Sequence, residues 1–263
     1  MSSALSLAVR DSSTMLRRNL LHARRYPSLT LNLLLTPVMM LLLFVYVFGD
    51  VMSAGMGGGA DRAAYVAYVV PGILMMTVGG TVVGTAVSVA NDMNEGIIAR
   101  FRTMAIHRPS ILVGHVAGSV LQCLMSVALV GAIAVAVGFR STDATVLEWL
   151  AAFGLTALVA LALTWIAVGM GLVSPNAEAA SNNALPLVIL PLISSAFVPI
   201  GSMPGWFQPI AEYQPFTPAI ETLRGLLLGT GIGHNGWLAV AWCLGLTALG
   251  YLWSTSVFRR DPS

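Results

Sequence analysis

The sequence contains no lysine; all 13 of its basic residues are arginine. A P-loop sets a lysine against the phosphates, so this chain holds no ordinary Walker A motif, and any nucleotide-driven work must be powered by another chain. Lysine Schiff-base chemistry is excluded with it. Charge of either sign is scarce: 9% of the 263 residues are charged, where an average soluble domain carries about 25%. With 57% of the residues hydrophobic, the composition excludes a soluble fold and points to an all-α polytopic membrane protein.

Cysteine and histidine are equally sparse. Cys123 and Cys243 both sit inside apolar runs and read as small apolar fillers. His22, His107, His115 and His234 show no paired ligand spacing and read as ordinary interface and loop histidines. No metal ligand set, Ser-His-Asp arrangement or zincin helix is visible, so no catalytic residue is expected. An intramembrane enzyme would need an ionisable pair at mid-depth, which the first four spans and the last do not offer.

What is present is a series of apolar runs. Residues 4–26 place Leu5, Val9, Leu16 and Leu20 on one helix side, with Arg10, Arg17 and Arg24 opposite and Arg18 and Arg25 beside them. Such an arginine-faced amphipathic helix reads as an interfacial anchor, residues 1–28. Spans are expected at about 29–48 (kinked at Pro37), 64–89, 111–137, 149–173, 183–198 and 237–258, followed by a tail at 259–263. Gly79-Gly80, Gly84 and the prolines of the fifth span read as places to bend or pack closely. Six spans put both termini on one side. Ten of the 13 arginines fall there, and only Arg62, Arg140 and Arg224 fall opposite. The positive-inside rule then makes both termini cytoplasmic in a multi-pass membrane protein.

Between the second and third spans lies a polar island, residues 91–109. Asp92 and Glu95, three apart, have the spacing of a capping box. Ile97, Phe101 and Met104 share a helix face, Arg100 and Arg108 lie away from it, and Pro109 closes the segment. This reads as a short amphipathic helix at the membrane surface, a docking element for a soluble partner. The plainer alternative is a solvated loop. Before the last span, five prolines (Pro199, Pro204, Pro209, Pro215, Pro218) separate apolar pieces too short to span. Thr217 is expected to cap the second piece, with Pro218 at its first position and Gly229 just past its end. Two short helices with a break suit a re-entrant hairpin in the outer leaflet, the alternative being an external loop with surface helices. Glu212, Glu221 and Arg224 fall here, and Glu221 and Arg224, three apart, are expected to pair, so that exchanging their charges restores part of what either reversal loses.

The stretch from Asn91 through Met104, followed by Val198-Pro199, Met203-Pro204, Pro215-Phe216-Thr217-Pro218 and Arg224-Gly225, resembles the permease subunits of ABC-2 type exporters, especially those of daunorubicin/doxorubicin resistance transporters. The resemblance covers nearly the whole chain. It implies a half-transporter that pairs with a second permease, a copy of itself or a sister chain, in the lipid bilayer. A separate ABC ATPase subunit, which binds ATP and magnesium, drives it; this chain then needs no cofactor of its own, and no nucleic acid is involved. It further implies that Asp92, Glu95, Gly96, Ile97, Arg100, Phe101, Arg102 and Met104 belong to the coupling helix seated in the ATPase. Residues 1–28 become the connecting helix. Pro199, Met203, Pro204, Glu212, Pro215, Pro218, Glu221 and Arg224 belong to an outer hairpin that closes the exit. The implied activity is export of a lipophilic or amphipathic, drug-like compound. A glycolipid or polysaccharide exporter, and beyond it a channel or scaffold without an ATPase, are the competing readings.

Overall fold

A computed structural model describes residues 27–49, 62–95, 108–141 and 143–260. The arginine stripe Arg10, Arg17, Arg18, Arg24 and Arg25 lies outside the described residues, and so do Gly96, Ile97, Arg100, Phe101, Arg102 and Met104. The described residues form helices and the turns that join them, without a strand. In order they form α1 (Pro27–Leu42), α2 (Arg62–Asn94), α3 (Arg108–Val137), α4 (Val146–Val173), α5 (Ala177–Ala184), α6 (Pro186–Ile189), α7 (Gln208–Tyr213), α8 (Phe216–Leu228) and α9 (Asn235–Arg260).

Among the described residues, four helices are long and apolar enough to cross a membrane: Arg62–Asn94, Leu112–Val137, Val146–Val173 and Asn235–Phe258. Two of the expected spans are represented by shorter apolar helices, Leu35–Val47 and Ala177–Ile193. In the second, Asn176 accepts the Ala179 N–H and starts α5 ahead of the expected span. Pro186 and Pro191, each lacking an N–H, then break the run into α5, α6 and a 3-10 turn, Leu190–Ile193. α1 ends in a π-helical turn, Leu43–Val47, where Arg62 donates from Nε to the Val45 carbonyl at 3.1 Å and lies 4.5 Å from the Tyr46 ring centre.

The start of α4 carries the capping box that the chain does possess. Thr145 accepts the Glu148 N–H, and the Glu148 carboxylate accepts the Thr145 N–H at 2.6 Å. The Thr-x-x-Glu signature at 145–148 was visible in the sequence. Pro109 opens α3 in its first turn instead of closing the preceding segment.

α2 is the central helix, with 78% of its most apolar window buried, against 17% for α9, which faces outward. A helix apolar all round belongs in such a position. Glycines set its packing. A Cβ on Gly72 would stand 2.6 Å from the Ala196 Cβ, and one on Gly79 would stand 2.5 Å from the Leu187 carbonyl oxygen. The broken α5–α6 segment therefore runs antiparallel along α2 at backbone contact. Gly80 has open space around it. α4 and α9 run parallel and close: a Cβ on Gly250 would stand 2.9 Å from the Ile166 nitrogen, and one on Gly169 would strike the Trp253 ring.

Candidate functional site

The bundle has two ends, and each gathers polar side chains. At one end α2 stops at Asn94 and α3 begins at Arg108. Asp92 is itself helical, whereas an N-cap residue is not. It lies in the last turn of α2, buried, and its Oδ2 stands 3.1 Å from Nε2 of buried His115 on α3. The capping-box expectation for Asp92 and Glu95 is therefore corrected: Glu95 is exposed in the turn after α2, and its N–H continues the helical pattern to the Asn91 carbonyl. His115 is a residue that the sequence reading passed over. The signal available was its place two turns into α3, together with Asp92 as the one acid in the preceding helix.

At the opposite end lie α7 and α8. α8 buries ten of its 13 residues, whereas a helix resting on a surface buries one stripe. Gly229 ends it in the left-handed conformation, φ +67°, against the Asp143 backbone. The expected Thr217 cap is not made: α8 begins at Phe216, and no side chain caps it. The Thr217 hydroxyl instead donates to the Ala211 carbonyl and accepts the Ser195 N–H at 3.3 Å. It joins α7, α8 and the turn after α6.

Arg224 is the centre of this end. Its Nη1 pairs with Glu221 Oε1 at 2.5 Å, as the three-residue spacing suggested. Three further bonds were not legible: Nε and Nη2 donate to the Tyr68 carbonyl at 3.2 and 3.1 Å, and Nη2 donates to the Ser195 carbonyl at 2.9 Å. The guanidinium lies 3.9 Å from the Tyr68 ring centre, and the Tyr68 hydroxyl donates to the same Ser195 carbonyl at 2.9 Å. One buried cation thus ties α8 to α2 and to the turn after α6. A guanidinium suits this because its fork holds several acceptors at once.

The remaining residues of the expected hairpin lie outside that group. Pro199 and Pro204 are exposed, Met203, Glu212 and Pro215 are half-buried, and Pro218 is buried within α8. Among the described residues no bond joins Glu212 to Arg224. Exposed Trp206, Tyr213 and Trp237 surround this end, as aromatic residues do at a membrane–water boundary, and Trp242 Nε1 donates to the Tyr213 carbonyl at 3.0 Å. A cavity of about 270 Å³ opens between α2, α3, α4 and α8, with Val70, Gly131, Phe139, Phe153 and Leu223 in its walls. Its lining is almost wholly hydrocarbon, and the one hydroxyl there, of Thr156, is already given to the Ala152 carbonyl at 2.8 Å. Among the described residues no cluster of His, Cys, Asp and Glu is arranged to hold a metal.

Residues 11–228 match the sequence profile of the family described as ABC-2 type transporter. The chain is 29% identical over 249 residues to a daunorubicin resistance ABC transporter permease protein of Streptomyces coeruleorubidus, covering 94% of this chain and 85% of that one. It is 23% identical over 160 residues to a probable doxorubicin resistance ABC transporter permease protein of Mycobacterium tuberculosis, covering 59% and 57%. It is 26% identical over 237 residues to nodulation protein J of Rhizobium meliloti, covering 82% of each chain.

Proposed function

The chain belongs to the ABC-2 type transporter family, and on that premise we propose that it is the membrane subunit of an ATP-driven exporter, paired with a second permease and driven by a separate ATPase. Its relatives are named as permeases, transport components and not enzymes. The absence of lysine agrees with ATP and magnesium being held by the partner. The cargo is a lipophilic or amphipathic compound of the drug type, the class that two relatives' names carry.

The observation that carries this reading is the position of the polar island. Residues 96–107 connect the two longest helices, α2 and α3, and the stems on either side are joined by the buried Asp92–His115 pair. A load applied to the island therefore reaches both helices. The island is the coupling element, with Ile97, Phe101 and Met104 toward the ATPase. ATP closes two cytosolic domains on each other, the island moves with its stems, and the cargo is released at the far end between the two permeases. α7 and α8 form a re-entrant hairpin that closes the exit, supported by the burial of α8 and by the Arg224 bonds to α2. Both termini and the island face the cytoplasm.

The test is co-purification with a Walker-bearing ATPase, together with ATP-dependent export of doxorubicin from cells expressing both chains. A chain that brings down an ATPase and lowers doxorubicin accumulation supports the proposal. One that folds in the membrane, binds no ATPase and lowers nothing is a channel or scaffold.

A further inference from the structure

Three side-chain pairs cross the seam between α2 and α3. Nearest the polar island, Asp92 Oδ2 and His115 Nε2 stand 3.1 Å apart. Deeper along the helices, Thr85 Oγ1 donates to Ser119 Oγ at 2.8 Å. Deeper again, one helical turn on along both helices from that pair, buried Thr81 falls opposite buried Cys123. The pairs descend α2 as 92, 85, 81 and ascend α3 as 115, 119, 123, the register of two antiparallel helices presenting one face each. Thr77 and Thr81 also donate to the carbonyls of Ile73 and Thr77, each at 2.8 Å, which fixes their rotamers. Both helices are long and apolar enough to cross a membrane, so no water is at hand to replace a rung that opens.

We propose that these pairs are positioning residues that make α2 and α3 one rigid lever, transmitting motion from residues 96–107 to the Arg224 end. The lever reaches that end directly, because the carbonyl that Arg224 binds belongs to Tyr68 on α2 itself. Sliding α3 along α2 would part the buried Asp92 and His115, whereas tilting the two together breaks no rung. The inference rests on the coupling reading above and specifies how that reading works.

The experiment uses the full chain with its ATPase in vesicles and doxorubicin as the probe. In a Cys243→Ser background, Thr81→Cys sets a second thiol opposite Cys123 in the register of the Thr85–Ser119 pair, and oxidation closes a disulfide across the seam. A rigid lever exports equally well oxidised and reduced. Export that stops on oxidation and returns on reduction overturns the proposal, because the helices must then slide. The second arm removes the end rung with Asp92→Leu plus His115→Leu, which takes away both members of the buried pair together. The ATPase is expected to remain bound and hydrolysing while export falls about tenfold, and the 81–123 disulfide is expected to recover it. Unchanged export, or a loss that the disulfide does not recover, overturns the proposal. If that variant does not insert, Thr85→Val plus Ser119→Ala takes its place with the same outcomes. A parent chain that neither binds the ATPase nor exports with ATP sinks the exporter reading instead, before any variant is made.

Discussion

Arg224 lies face-on to Tyr68, its guanidinium carbon 3.9 Å from the ring centre, while two of its nitrogens donate to the carbonyl of that same residue. The two residues are 156 positions apart in sequence. A helical carbonyl has a second lone pair to offer, and the Tyr68 carbonyl can be reached because the next turn of α2 is Pro71-Gly72, packed without side-chain bulk against Ala196. The cation is therefore held by backbone oxygens of two elements as well as by Glu221.

That geometry changes what a charge exchange should do. The spacing of Glu221 and Arg224 alone predicts that Glu221→Arg with Arg224→Glu restores part of the function. Glutamate, however, has no donor for the Tyr68 and Ser195 carbonyls. The exchange is now expected to remain as impaired as Arg224→Glu by itself, in export and in thermal unfolding. Arg224→Lys is expected to recover little, since a compact ammonium has neither the planar fork that spans Glu221 and the two carbonyls nor the flat face that lies on the Tyr68 ring. The loss of stability in Arg224→Ala is about 3 kcal/mol, the scale for breaking a buried pair. A double exchange that melts with the parent protein contradicts this account.

Gly79 and Gly80 make a matched comparison. Gly79→Ala forces a methyl group onto the Leu187 carbonyl oxygen, a backbone atom that cannot swing aside, whereas Gly80→Ala enters open space. Gly79→Ala should destabilise by about 1–3 kcal/mol. Gly80→Ala should be neutral or slightly stabilising, because alanine is the better helix former. Thermal unfolding of the two variants in detergent reads the difference. Equal melting temperatures would show that α5 and α6 do not pack on α2 at this contact.

Thr145→Ala tests the start of α4. It removes the hydroxyl that accepts the Glu148 N–H, at a cost of about 1 kcal/mol. Thr145→Ser keeps the cap and should lie within a few tenths of the parent value on the same scale. A Thr145→Ser chain that melts as low as Thr145→Ala would mean that the methyl group, not the hydroxyl, matters there.

Apolar length was enough to locate α2, α3, α4 and α9, because a window of about twenty hydrophobic residues has few alternatives. It was not enough at 183–198, where hydropathy saw one run and Pro186 and Pro191 divide it into α6 and a 3-10 turn. Local rules found the Gly229 terminus and the Glu221–Arg224 pair, since both are set within one turn of helix. They misassigned Asp92 and Thr217, whose spacing suits a cap but whose side chains are taken by His115 and by Ala211 and Ser195. His115 and Ser195 are distant in sequence, and Ala211, six residues before Thr217, lies across the turn between α7 and α8. A single chain carries no local trace of which helix faces meet, and the Tyr68 and Ser195 bonds to Arg224 were illegible for the same reason.

The last prediction concerns the polar island itself. Glu95 is exposed beyond the end of α2, so Glu95→Ala should leave insertion and stability unchanged. Its effect, if residues 96–107 dock on an ATPase, is confined to export. Phe101 is the largest apolar side chain on the face shared with Ile97 and Met104. An interface anchor of that kind contributes about 2 kcal/mol, which weakens association roughly 30-fold. Phe101→Ala is therefore expected to insert normally, to lose most of its ATPase on co-purification, and to lose doxorubicin export with it. Arg108→Ala, away from that face, should keep the ATPase. Full ATPase binding and full export by Phe101→Ala would reduce the island to a solvated connection between α2 and α3, and the drive would then have to enter the bundle elsewhere.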